Sequence, residues 1–174
     1  MGAGFDIRKD DLTGEPTRAL LALHLNGMRS NSPPGHSFAL DLSGLQAPGV
    51  TVWSVWIGDE IAGIGAVKLL PDGGAELKSM RTHPDHLRRG VAAALLEHII
   101  AAARDRGATR LSLETGTGPS FEAALSLYRR RGFSNGAAFG DYVPSAFNQF
   151  LHLPLRPRVD PAPRPTLSDA PTHP

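Results

Sequence analysis

Residues 50 to 82 read as three strand-like runs, TVWSVWIG, EIAGIGAVKLL and GAELKSMRT, with Gly58-Asp59 and Asp72-Gly73-Gly74 between them. Those short gaps carry turn chemistry, so the three runs predict an antiparallel meander. Past residue 90 the period changes. Val91, Ala94, Leu95, His98, Ile99 and Ala102 recur at helical spacing and predict a buried stripe. Arg104 and Arg106 suit the negative end of that helix, and Gly107 suits its stop. The same period puts Leu20, Leu21, His24, Leu25 and Met28 on one face of EPTRALLALHLNGMRS. It also groups Phe121, Ala124, Leu125 and Tyr128 in PSFEAALSLYRRRG, with Gly132 as the stop. FDIRKDD predicts a first strand, TRLSLET one between the later helices, and AAFGDY and FNQFLHLPL two closing strands. NSPPGHS is a loop, and FALDLSGLQAPGV is ambiguous, with room for a helical turn. No internal repeat is visible.

The order is strand, helix, three strands, helix, strand, helix, two strands. That order predicts an α+β fold: a mixed sheet of about seven strands between about four helices, in three α/β/α layers. The strand–helix–strand unit over 75–115 predicts a right-handed parallel crossover.

The tail, residues 156–174, has six prolines in 19 residues and almost no large apolar side chain. It reads as a disordered extension, leaving residues 1–155 as one domain. Net charge is +1, and the tail's three arginines against two aspartates carry that excess. The body is therefore neutral, which argues against a nucleic-acid partner. No apolar run reaches membrane length and no leader pattern follows the N-terminal charges, so neither a membrane partner nor export is expected. With no cysteine in the chain, disulfides, thiolate metal sites and a cysteine nucleophile fall away, and a cytoplasmic location is compatible. His83 and His86 lack a third ligand at metal spacing, so no metal is expected.

The candidate chemistry begins at RTHPDHLRRGVAAALLEHI, where Arg88, Arg89 and Gly90 open a helix. A helix N-terminus presents unpaired amides and partial positive charge. Gly90 permits close backbone approach, Val91 and Ala92 form the first turn, and the arginines add charge-assisted donors. Such a start is an anion site or simply a helix start. A P-loop NTPase is excluded, since HLRRGVAA carries no Walker lysine.

Together ELKSMRTHPDHLRRGVAAALLEHI, RLSLET and AALSLYRRRGF resemble the GCN5-related N-acetyltransferase (GNAT) superfamily, closely so over residues 76–133. Its Q/R-x-x-G-x-G/A motif corresponds to Leu87-Arg88-Arg89-Gly90-Val91-Ala92. The glycine and final alanine fit, and Leu87 departs. Phe121 stands where the family often has asparagine. The resemblance implies a GNAT-like sheet and acetyl-CoA as co-substrate. Its pyrophosphate would lie on the 88–92 loop, and its pantetheine on the backbone of Met80, Arg81 and Thr82. It implies transfer of the acetyl group to a primary amine of a small molecule or peptide, by direct attack in a ternary complex. Homodimers are frequent in the family.

By the same resemblance Tyr128 is the candidate acid. Its free pKa of about 10 lies above the roughly 8.5 of a thiol. Glu76 is the first candidate base and Glu114 the second, and an amide at a strand bulge near Met80 is the oxyanion donor. The variable region offers Arg29, His36 and Phe38 to the substrate, and Asp141, with Tyr142, approaches from the closing strands. Arg29 and Arg81 each offer a planar fork for a substrate carboxylate. The competing reading is a non-catalytic acyl-CoA-binding or sensing module on the same fold.

Overall fold

The computed structural model describes residues 4–31 and 42–156, with side chains other than those of 24–31 and 43. Seven strands form one sheet: β1 (Asp6–Lys9), β2 (Val50–Ile57), β3 (Glu60–Leu69), β4 (Ala75–Thr82), β5 (Arg110–Gly116), β6 (Ser134–Gly136) and β7 (Asn148–Pro154). Their spatial order is β1-β2-β3-β4-β5-β7-β6. β1 to β4 pair antiparallel with their neighbours, so the meander is as expected. β4 and β5 run parallel, and β7 inserts antiparallel between β5 and β6.

Three longer helices cover the sheet: α1 (Glu15–Asn31), α3 (Val91–Asp105) and α4 (Glu122–Arg130). A single helical turn, α2 (Leu42–Leu45), lies in the segment whose sequence is ambiguous. One face packs Leu12, Leu20, Leu21 and Leu45 against Val52, Ile64 and Ala66. The other packs Leu95, Leu96 and Ile99 of α3 and Leu125 and Tyr128 of α4 against Val55, Val67 and Leu113.

Two expectations are corrected. The buried stripe of α3 is Val91, Leu95, Leu96, Ile99 and Ala103. His98 is exposed and meets the ring of Trp53 edge-on at 5.4 Å. The helix is small and apolar nearly all round, so periodicity alone fixed its rotation poorly. AAFGDY (137–142) is not a strand. The preceding strand is only Ser134–Gly136, and the chain then leaves the sheet. The imidazole of His152 fills the space beside Gly136, and its Nε2 lies 2.8 Å from the carbonyl of Ala137. Phe139 then folds inward onto Tyr142, Phe150 and His152.

β4 carries the feature that positions the site. Ala66 pairs with Lys78 and Ile64 with Arg81, so Ser79 and Met80 together oppose Gly65. This is a β-bulge, and Ser79 takes φ 58°. The bulge needs glycine opposite it. A Cβ on Gly65 would meet Met80 Sδ at 2.7 Å and Leu95 and Ile99 at 3.1 Å. Gly65→Ala is therefore expected to cost about 1–3 kcal/mol through overpacking, read from a denaturant midpoint, and to lower activity by moving the bulge.

Candidate active site

β4 and β5 are hydrogen-bonded only at their start, where Ala75 pairs with Leu111 and Glu76 with Ser112. β4 continues to Thr82 and β5 to Gly116 without further pairing to each other. Two inner strands thus diverge and present ladder groups across an open wedge. An unpaired inner edge accepts an extended amide-bearing ligand as a surrogate strand. The bulge at Ser79–Met80 lies on the wedge's β4 side. The Met80 side chain packs into the α3 face of the core, so only its backbone is available to the wedge.

β4 leads through a short 3-10 turn, Pro84–His86, to the start of α3. Arg88 and Gly90 both adopt left-handed backbone, φ 61° and 83°. Alternation of such residues turns successive amides toward one side, the geometry of an anion-binding nest. Gly90 caps α3 with no side-chain hydrogen bond, and its carbonyl accepts from Ala94 N–H at 3.0 Å. The first-turn amides, including those of Val91 and Ala92, are therefore left for another acceptor. Val91 is buried, so its side chain anchors the start of the helix. Leu87, 58% exposed, makes no visible contribution, and Arg88 and Arg89 are exposed. Arg89 Nη1 lies 3.4 Å from Nδ1 of His86, which pairs with Glu60 through Nε2 at 3.1 Å.

On the α1 face, β4 and β5 carry the polar groups. Glu76 is 5% exposed. Lys78 Nζ donates to its carboxylate at 3.0 Å and to Tyr142 Oη at 2.7 Å. Tyr142 Oη–H donates to the same Glu76 oxygen. Nζ also sits 5.3 Å from the Tyr142 ring centroid. Burial and the hydrogen bond to Glu76 push the Tyr142 hydroxyl well above its ordinary range. Glu114 stands alongside on β5, half-buried. Its hydrogen-bond partner is Asn148, whose Nδ2 lies 3.5 Å away. Desolvation raises its carboxyl from 4.5 to about 7; the Asn148 contact and Lys78 oppose that, and Glu76 adds to it. Tyr128, 7% exposed, packs on Phe133, and burial pushes its hydroxyl to about 12.

The sequence-selected residues therefore separate into groups. Met80, Arg81 and Thr82 lie on the wedge strand, and 88–92 form the open helix start. Glu76 and Glu114 share one polar cluster. Asp141 is exposed in a turn, and its neighbour Tyr142 enters the cluster instead. Phe121 lies over Gly116, where a Cβ would meet its ring at 2.3 Å. Arg29 is on α1, with its side chain outside the described residues, and His36, Phe38 and residues 157–174 also lie outside them. Lys78 and Asn148 were missed. Glu76 and Lys78, two apart in a buried strand, were the available signal, because that spacing places opposite charges on one face. Among the described residues no group of three or more His, Asp or Glu could hold a metal, and no helix is long and apolar enough to cross a membrane.

A sheet with a splayed inner strand pair, a bulge in the wedge and an uncapped helix directly after it defines a coenzyme-binding acyltransferase architecture. Residues 18–133 match the acetyltransferase (GNAT) family. The chain belongs to that family and is an acetyl-CoA-dependent N-acetyltransferase. It is 52% identical over 151 residues to YedL, an uncharacterized N-acetyltransferase of Escherichia coli K12, with 87% of this chain and 95% of that protein covered. It is 50% identical over 145 residues to YsnE, an uncharacterized N-acetyltransferase of Bacillus subtilis 168, covering 83% and 96%. Its structure is similar to that of a Klebsiella pneumoniae protein assigned as an acyl-CoA N-acyltransferase, with TM-score 0.75 and 30% identity over 88% of this chain and 99% of that one. It shares its fold with a Bacillus subtilis acetyltransferase in complex with CoA, with TM-score 0.67 and 20% identity over 88% and 100%.

Proposed function

We propose that this enzyme transfers the acetyl group of acetyl-CoA to a primary amine by direct attack, with the thioester held in the β4–β5 wedge. The divergence of β4 and β5 after Glu76 and Ser112 carries the reading. The chain's residues suit the coenzyme: backbone at Met80 and Thr82 for pantetheine amides, and the amides of 90–92 with Arg88 and Arg89 for the pyrophosphate. When bound, the coenzyme supplies an activated acyl carbon and a thiolate leaving group.

Glu114 is the base in this reading. Glu76 is already occupied by Lys78 and Tyr142, so its lone pairs serve the buried ion pair. Glu114, raised to about 7, is poised between its protonation states at neutral pH. It cannot readily strip a free ammonium of pKa about 10.4. It accepts the proton as the nitrogen bonds to carbon, when that nitrogen becomes far more acidic. The amide at the Ser79–Met80 bulge faces the developing oxyanion. Tyr128 donates a hydrogen bond to the departing sulfur. With its hydroxyl at about 12, full transfer to a thiolate of ordinary pKa about 8.5 is uphill. Its contribution is therefore stabilisation of the thiolate.

Amine-dependent release of free CoA with formation of acetylated product tests the reading. Coenzyme binding without turnover of any amine would favour the non-catalytic alternative. Tyr128→Phe is expected to lower kcat about tenfold while leaving the acetyl-CoA Kd unchanged, by titration calorimetry and steady-state kinetics. An unchanged kcat removes Tyr128 from the mechanism.

A further inference from the structure

We infer that the acceptor is a small amine that also bears a carboxylate, and that Arg81 binds this carboxylate. The inference rests on the proposed function and narrows it. Arg81 pairs with Ile64, Lys78 with Ala66 and Glu76 with Lys68, so the three share the α1 face of β4. Counted along β3, Arg81 stands two residues beyond Lys78, roughly 7 Å of strand. It is therefore within reach of one small molecule whose nitrogen faces Glu114.

Arg81 Nε is buried and has no hydrogen-bond partner. A buried charged donor without an acceptor is costly, and native structures retain few. The nearby carboxylates are already engaged: Glu76 by Lys78 and Tyr142, Glu114 by Asn148. Ser79 Oγ, two residues earlier on the bulge, is the other buried side-chain atom without a partner among the described residues. Two unsatisfied groups beside one reaction centre call for a ligand with acceptor oxygens. The planar guanidinium matches a carboxylate's two oxygens. The charge balance agrees. An amine must be neutral to attack, so an amino acid reacts as a net anion, complementary to Arg81. A polyamine would instead bring further positive charge against Arg81 and Lys78.

The test is steady-state acetylation of a panel of L-amino acids, each paired with its α-carboxamide, by the full-length enzyme. The carboxylate member is expected to show the higher kcat/KM, about tenfold to a hundredfold for a charged bidentate contact. In Arg81→Gln that ratio falls to about one, mainly through KM for the carboxylate member. Arg81→Lys restores part of it. Three results would overturn the inference: turnover confined to carboxylate-free amines, a ratio insensitive to both variants, or an effect of Arg81→Gln on the acetyl-CoA Kd alone. Failure of the proposed function itself looks different: acetyl-CoA then either does not bind the wild-type protein or binds with no amine of any kind turned over.

Discussion

Gly90→Glu is expected to weaken acetyl-CoA binding by about a hundredfold or more, while the domain stays folded. Two charge-assisted hydrogen bonds to a phosphate, each worth about 1.5–3 kcal/mol, account for that size. The substitution acts on both devices of the site. It places a negative charge among the first-turn amides of α3, where the dipole otherwise favours the coenzyme's phosphates. It also forces a side chain into φ 83°, which costs about 1 kcal/mol. Gly90→Ala separates the two. A Cβ there comes no closer than 3.9 Å to Phe5 in the bare protein, so alanine brings the backbone strain without the charge. Its loss of affinity should be much smaller than glutamate's. Calorimetric titration of both variants, with circular dichroism for folding, checks the pair. Equal losses would mean that backbone conformation, and not anion binding, is the role of Gly90.

Glu114→Gln is expected to lower kcat/KM by about 10²–10⁴, the range for loss of a general base. The pH profile is the sharper readout. The base must be ionised, so wild-type kcat/KM, expressed per neutral amine to remove the substrate's own titration, should rise with pH and level off above about 7. In Glu114→Gln that step disappears. Stability moves the opposite way. The folded pKa lies above the unfolded value, so between 4.5 and about 7 the native state holds the proton more firmly. Stability therefore falls as pH rises through that window. Glu114→Gln should match wild type at pH 4 and exceed its melting temperature at pH 8. A gain in stability together with lost activity is the mark of a strained functional carboxylate. If Glu76→Gln abolished the pH step while Glu114→Gln kept it, Glu76 would be the base. That variant also leaves Lys78 without its partner, and a broken buried pair costs about 3–5 kcal/mol. Its activity must therefore be read beside its stability.

Much of this was legible in the sequence because local chemistry and tertiary packing agree there. The β2–β4 meander is marked by turn residues, and α3 by its punctuation: an uncapped glycine at 90, a stop at 107. The helix start at Arg88–Gly90 was equally plain. Where long-range contacts decide, the sequence was silent. Nothing local says that β7 separates β5 from β6, because that position is won by pairing with a strand some 40 residues away. Phe139 folds off the sheet edge onto Phe150 and His152 of β7, contacts that its own segment does not announce. Glu76 and Glu114 look alike as strand carboxylates. Only Lys78 and Tyr142, the latter 66 residues distant, show that one is tied up. Arg81 drew notice as a possible carboxylate ligand, yet its unpartnered Nε belongs to the folded protein alone.

The most direct test of the central claim is thermal stability with and without acetyl-CoA, using free adenosine as control. A ligand that binds only the folded state, at a hundredfold excess over Kd, stabilises by about 2.7 kcal/mol. A melting temperature that rises with acetyl-CoA and not with adenosine is the predicted result, and Gly90→Glu should abolish the rise. No rise at millimolar acetyl-CoA would contradict the account, leaving the β4–β5 wedge and the 88–92 loop without their ligand.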